Sequence, residues 1–199
     1  VATNDTTADA ALVPLVNASL APVPLLTSVS AASFEGERVA PESLVSGFGG
    51  ELAAGSASAQ AVPLPTSLAG SSLEIVDSAG TKHTPGLLFI SPSQVNYLMP
   101  RNMANGLATA TVTAANGAKS RGYLNVQSVA PALFTFNAEG LVAGAVVRVK
   151  PGGTQTEEPI FQQPQPGQIV ARPIDLGPDG DQVFLVMYGT GIRRRFNLD

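Results

Sequence analysis

Two runs of alternating character, joined by Asn116-Gly117, constrain this chain more than any other feature. Over residues 107–114, Thr109, Thr111 and Thr113 fall on one side, and Ala108, Ala110, Val112 and Ala114 on the other. Successive side chains of a strand point to opposite faces, so a period of two sets the small apolar residues against a core and the threonines in water. The return run, residues 120–127, turns Arg121, Tyr123, Asn125 and Gln127 outward and Leu124 and Val126 inward. Asn-Gly tolerates the positive φ of a tight turn, so the pair predicts an antiparallel hairpin with one wet face.

The same logic finds short strands elsewhere. Residues 43–48, 72–77, 87–90 and 95–99 are apolar or alternating stretches, separated by Gly49-Gly50, Ser78-Ala79-Gly80 and Ser91-Pro92-Ser93. Within 72–77, Leu73, Ile75 and Asp77 share one side. Residues 53–61 form a small-residue loop with no side chain able to fill a core. Twenty glycines and sixteen prolines in 199 residues are too many turn formers for a helical bundle, and 44% apolar with 13% charged is too oily for disorder. The predicted class is all-β: an immunoglobulin-like antiparallel β-sandwich over residues 27–130, with a second, incomplete β-sandwich portion at the C-terminal end.

That last portion, residues 131–199, reads as a hairpin, a Pro/Gln-rich connection and the start of a second immunoglobulin-like unit. Residues 133–137 and 141–150 make the hairpin, with Ala145, Val147 and Val149 inward and Arg148 and Lys150 outward. Residues 151–173, with Pro159, Pro164 and Pro166 among glutamines, predict a long extended connection without a fold of its own. The final strand, 183–188, carries Val183, Leu185 and Met187 on one face and Phe184, Val186 and Tyr188 on the other. Apolar residues on both faces predict burial on both.

Residues 1–26 are an extended apolar arm. No charged side chain occurs from Ala10 to Phe34, and Leu12, Val13, Leu15, Val16, Leu20, Val23 and Leu25 are interspersed with Pro14, Pro22 and Pro24. Those prolines forbid a long helix and a central strand, leaving an edge strand or a polyproline-like segment. Such an arm docks either on its own domain or on a neighbouring copy. Asn4-Asp5-Thr6 and Asn17-Ala18-Ser19 are glycosylation acceptors only in a source that has that pathway. The chain begins at Val1, which predicts a processed product or a fragment.

Residues 44–52 and 185–192 echo each other, each an apolar strand running through an aromatic into Gly-x-Gly and an aliphatic residue. The repeat predicts two turns needing positive φ, and two related sandwiches. Val29-Ser30-Ala31-Ala32-Ser33-Phe34, residues 39–46, Leu64-Pro65-Thr66-Ser67-Leu68-Ala69-Gly70, Ser91-Pro92-Ser93-Gln94-Val95-Asn96-Tyr97 and residues 129–135 carry a resemblance, continued by Pro173-Ile174-Asp175-Leu176-Gly177-Pro178 and residues 188–193. The chain resembles the Solibacter-type uncharacterised C-terminal domain family over roughly residues 27–195. The resemblance implies an immunoglobulin-like fold related to IPT/TIG modules, at the end of large exported bacterial proteins, with no established activity. Members of that family continue past the second Gly-x-Gly with further strands, which this sequence lacks.

Reactive chemistry is sparse. The absence of cysteine excludes disulfides and thiol nucleophiles, and His83 is the single histidine. There is no nucleophile elbow, phosphate loop, zinc-protease motif or dinucleotide fingerprint. Asp175, Asp179 and Asp181 around Gly177 and Gly180 are weak candidates for a calcium loop, with spacing unlike an EF-hand. Glu157-Glu158 lacks the sheltered setting that would separate two carboxyl pKa values for glycosidase work. Arg193-Arg194-Arg195 reads as a solvated edge or ion-pair partner, and Tyr97, Tyr123 and Tyr188 as sandwich residues or, alternatively, a sugar-stacking platform. A net charge of −4 argues against nucleic-acid binding, and no apolar run approaches the roughly 18 residues of a membrane span.

These features predict a non-enzymatic structural or adhesive module, without cofactor, secreted or on a bacterial surface. Its expected partners are other copies of itself or cell-surface components. The expected self-association residues are Leu12, Val13, Leu15, Val16, Leu20, Val23 and Leu25 on the arm, with Val183, Leu185 and Met187 on the last strand, joining chains head to tail by strand complementation into a filament. The alternative is a carbohydrate- or ligand-binding accessory domain of an exported protein.

Overall fold

The hairpin predicted from residues 107–127 forms the middle of one sheet. A computed structural model describes residues 25–36, 38–137 and 140–193, and every regular element among them is a strand. In chain order the first group is β1 (Thr27–Ser30), β2 (Arg38–Val39), β3 (Leu44–Phe48), β4 (Ala57–Ser58), β5 (Ser67–Leu68), β6 (Ser71–Val76), β7 (Lys82–His83), β8 (Gly86–Ile90), β9 (Gln94–Leu98), β10 (Gly106–Thr113) and β11 (Lys119–Val126). One sheet has the order β1-β3-β9-β8-β4, the other β2-β11-β10-β6-β5 with β7 on β6. The fold is all-β, a sandwich of these two sheets.

Period two decides what each sheet buries. In β10, Ala108, Ala110 and Val112 are buried, and in β11 burial alternates residue by residue, with Leu124 and Val126 inside. They meet Val45, Leu87, Ile90, Val95 and Tyr97 of the other sheet, with Leu73 and Ile75 of β6 beside them. Each fully buried aliphatic side chain here stabilises the fold by about 1.5–3 kcal/mol. At the tip, Gly117 takes a φ of 85° and the Asn116 side chain accepts from the Ala118 N–H. Residues 53–61 are not wholly outside the core: Ala53 is buried and Ala57, in β4, packs against it.

The chain joins the sandwich by changing sheets. Leu25 bridges Arg121 in parallel, Leu26 donates its N–H to the Arg121 carbonyl at 2.9 Å, and β1 then pairs with β3 across the sandwich. A Cβ at residue 122 would overlap the Leu26 carbonyl oxygen, so Gly122 is what lets the crossing pass close to β11. Leu26 is buried in the core, whereas Leu25 is 70% exposed.

The second group comprises β12 (Ala132–Leu133), β13 (Gly144–Val149), β14 (Gln155–Pro159), β15 (Phe161–Gln165), β16 (Gln168–Ala171), β17 (Gln182–Met187) and β18 (Gly189–Thr190). They form a β12-β18 pair, a three-stranded sheet β14-β13-β17 and a β15-β16 hairpin. Three expectations change here. The expected hairpin is short: residues 134–136 pair back on 141–143 through the Thr135–Val142 bridge and the Phe136 and Ala143 N–H groups, while β13 itself pairs with β14 and β17. The 151–173 stretch is not a bare connection; β14 pairs with β13, β15 pairs with β16, and the Phe161 ring meets Phe136 in a tilted contact at 4.8 Å between centroids. Arg148 is buried rather than outward, held by ion pairs described below.

The two echoed segments meet, since Thr190 Oγ1 accepts from the Leu44 N–H at 2.8 Å. Their turns differ. Gly191 has a φ of 77°, and any Cβ there would overlap the Ala130 carbonyl, but in the first copy it is Glu51, at 57°, that adopts positive φ.

Candidate functional site

β17 is an outer strand, and its side chains are the largest set of exposed apolar groups contributed by any strand. The sequence predicts burial on both faces; instead Phe184, Leu185, Val186 and Met187 are 51%, 48%, 39% and 48% exposed, and Tyr188 beyond them is exposed as well. The reason is topological. β13 covers one edge of β17, in register from Gly144–Met187 to Val149–Gln182, and among the described residues no strand pairs with the other edge.

Register also says which backbone groups are open. Tyr188 donates its N–H to the Ala143 carbonyl at 2.9 Å, in step with the β13 pairing. In an antiparallel pair the direction alternates, so residues 184 and 186 face β13 while Val183, Leu185 and Met187 turn N–H and C=O to the open edge. Natural edge strands are usually guarded by Lys, Pro or a bulge. β17 is Gln-Val-Phe-Leu-Val-Met and has no such guard.

Behind this edge the sheet is held by charge. Arg148 on β13 is 6% exposed; its Nε lies 2.6 Å from Glu158 Oε1, its Nη1 3.3 Å from Asp181 Oδ2, and its Nη2 donates to the Asp175 carbonyl at 2.6 Å. Lys150 adds a 2.8 Å contact to the same Asp181 oxygen. The hydrogen bond from Arg148 lowers the Glu158 pKa, and those from Lys150 and Arg148 lower that of Asp181, while Glu158 raises that of Arg148. The cluster ties residues 175–181 across β13 and gives β17 a fixed backing.

The calcium-loop candidates do not converge. Asp181 is bound to two cations, Asp175 accepts from the Gly177 N–H at 2.8 Å, and Asp179 joins neither. No group of three His, Asp or Glu residues that could hold a metal occurs among the described residues. Glu157 and Glu158 lie on opposite faces of β14, only the latter reaching Arg148. Arg193 lies 3.7 Å from Glu42, which also binds Arg101 at 3.0 Å. The tyrosines form no platform: Tyr97 is fully buried and donates to Ser28 Oγ at 3.0 Å, Tyr123 is exposed on β11, and Tyr188 is in the second group. Burial raises the Tyr97 pKa.

The sequence placed Asp77 on an inward position without giving it work. Its carboxylate accepts from the backbone of Ala104 at 3.1 Å, Ala79 at 3.0 Å and Thr81 at 2.9 Å, and contacts His83 Nε2 at 2.8 Å. The Ala104 N–H, then His83, hold its pKa down at about 2. A carboxylate saturated by donors is a turn anchor, and the following Ser78-Ala79-Gly80 turn was the signal for it. A cleft of about 960 Å³ lies beside the β15-β16 hairpin, lined by Phe136, Asn137, Leu141, Gln168, Ile169 and Val170. Its Asn137 amide is already committed to Leu141 and Ile169.

Of the expected self-association residues, Leu25, Val183, Leu185 and Met187 are described; Leu12, Val13, Leu15, Val16, Leu20 and Val23 lie outside the described residues, as do the acceptor sites at Asn4 and Asn17 and residues 194–195 of the arginine run. No helix among the described residues is long and apolar enough to cross a membrane. No family model matches the chain, and no curated protein matches it.

Proposed function

We propose that the chain is a non-enzymatic structural or adhesive β-sandwich module of an exported bacterial protein, and that it works by accepting a strand on β17. The observation that carries the reading is the unguarded outer strand with apolar side chains exposed on both faces. A strand added there gains backbone hydrogen bonds from Val183, Leu185 and Met187 and removes oily surface from water on both sides of the sheet. The resemblance to the Solibacter-type domain family agrees with an exported parent. Sedimentation velocity over a concentration series tests the edge. The native chain associates with rising concentration, and Leu185→Lys, which guards the edge with a charge at a half-exposed position, keeps it monomeric without loss of fold. A native chain that remains monomeric, or a Leu185→Lys chain that associates equally well, contradicts the reading.

A second reading, a carbohydrate-binding accessory role, draws on the outer face of β10 and β11. There Tyr123 is 55% exposed opposite Thr109, with Arg121 and Asn125 beside it on the same face. Glycan-array binding that is lost in Tyr123→Ala favours this reading over the first.

A further inference from the structure

We infer that the strand accepted by β17 is residues 13–21 of a second copy of this chain, arriving from the opposite end of its sandwich, so that copies join head to tail. The inference rests on the reading of β17 as an acceptor edge and names its occupant.

Three observations support it. The first is where the arm begins. β3 runs from Leu44, which donates to Thr190 of the second group, to Phe48, which pairs with Thr27. Leu25 lies beyond that far end. At about 3.3 Å per residue, Leu25 therefore lies on the order of 20 Å from the end that contacts the second group. β1 itself runs towards the second group, so its start is the end remote from that group. Pro22 and Pro24 fix φ and bias Ala21 and Val23 towards extended conformations, which opposes an immediate reversal onto the same molecule.

The second is the parity of the prolines. Pro14, Pro22 and Pro24 are all even-numbered. In an extended strand, residues of one parity direct N–H and C=O to one edge and the others to the opposite edge. All three missing donors therefore fall on a single edge, and Val13, Leu15, Asn17, Ser19 and Ala21 keep every donor on the other. Such a segment pairs on one side only. It completes β17 and presents a proline-bearing edge outward, which stops further sheet growth.

The third is side-chain match. The open strand is apolar on both faces, and so is the segment, with Val13 and Leu15 on one face and Val16 and Leu20 on the other. Residues 15–21 contain no proline and no charge and are as long as the six-residue β17 requires. A donor at one end and an acceptor at the other make a heterologous contact, which propagates into rings or filaments.

A proline scan in the full chain tests the occupant, with self-association read by sedimentation. Asn17→Pro and Ser19→Pro remove inward donors and weaken association about tenfold or more, whereas Ala18→Pro changes it less than about threefold. Because the chain has no cysteine, Val16→Cys in one preparation and Val186→Cys in another, which share a face as a non-hydrogen-bonded pair when the added strand is antiparallel, report contact directly under oxidising conditions. Mixing them yields a disulfide-linked dimer, and neither links in this way by itself. If Leu185→Lys abolishes association but the proline variants all behave as native, the edge stands and this occupant is wrong. If Leu185→Lys associates as native, the edge reading and the inference fall together. A disulfide formed only within a doubly substituted single chain overturns the head-to-tail arrangement.

Discussion

Asp77, Tyr97 and Ser71 show how differently buried polar groups act in one core. Asp77 is saturated by three backbone donors and His83, and its pKa near 2 means that folding favours the carboxylate. A carboxyl whose folded pKa is depressed adds stability that is whole above its ordinary value of 3.8 and is lost as pH falls towards 2. The lowered pKa values of Glu158 and Asp181 act in the same direction. Thermal unfolding followed from pH 7 to pH 2 therefore shows a Tm that declines below about pH 4, and Asp77→Asn lowers Tm at neutral pH and flattens that acid limb. Tyr97→Phe leaves the ring in place and removes the Ser28 hydrogen bond, costing about 1 kcal/mol in denaturant unfolding. Ser71 Oγ is buried without a partner. Ser71→Ala is thus neutral within about 0.5 kcal/mol or slightly stabilising, the opposite of what deleting a satisfied hydroxyl does.

At the scale of elements, the sheet-changing N-terminal strand depends on a single missing side chain. Gly122→Ala drives a methyl into the Leu26 backbone, so it costs about 3 kcal/mol or more and frees Leu26 from Arg121, which protease susceptibility of the first thirty residues detects. What the sequence revealed followed the strength of its periodicity. The faces of β10 and β11 are legible because one is core and the other water, with Asn116-Gly117 joining them, though each strand starts and ends one residue earlier than the pattern suggests. Those of β13 are not, because Arg148 occupies a core position and is neutralised by Glu158 and Asp181, one four strand-residues into the facing strand and one beyond β16. Alternation carries no sign of such distant partners. Residues 151–173 are opaque for a related reason: their glutamines and prolines lack period two, and the Phe161 ring of the β15-β16 hairpin packs, tilted, on the distant Phe136.

For the whole molecule, the burial that the pattern of β17 predicts on both faces is not what the structure shows. Apolar residues on both faces identify a strand meant to be covered, but not which chain covers it. The described residues supply β13 on one edge and nothing on the other, and under the function proposed above the covering strand comes by association. This is the account's central claim, and amide hydrogen exchange tests it most directly. In the native chain, the amides of Val183, Leu185 and Met187 become protected as concentration rises, while those of Phe184 and Val186, already directed to β13, are protected throughout. Amides at 183, 185 and 187 that exchange at one rate from dilute to concentrated solution contradict it.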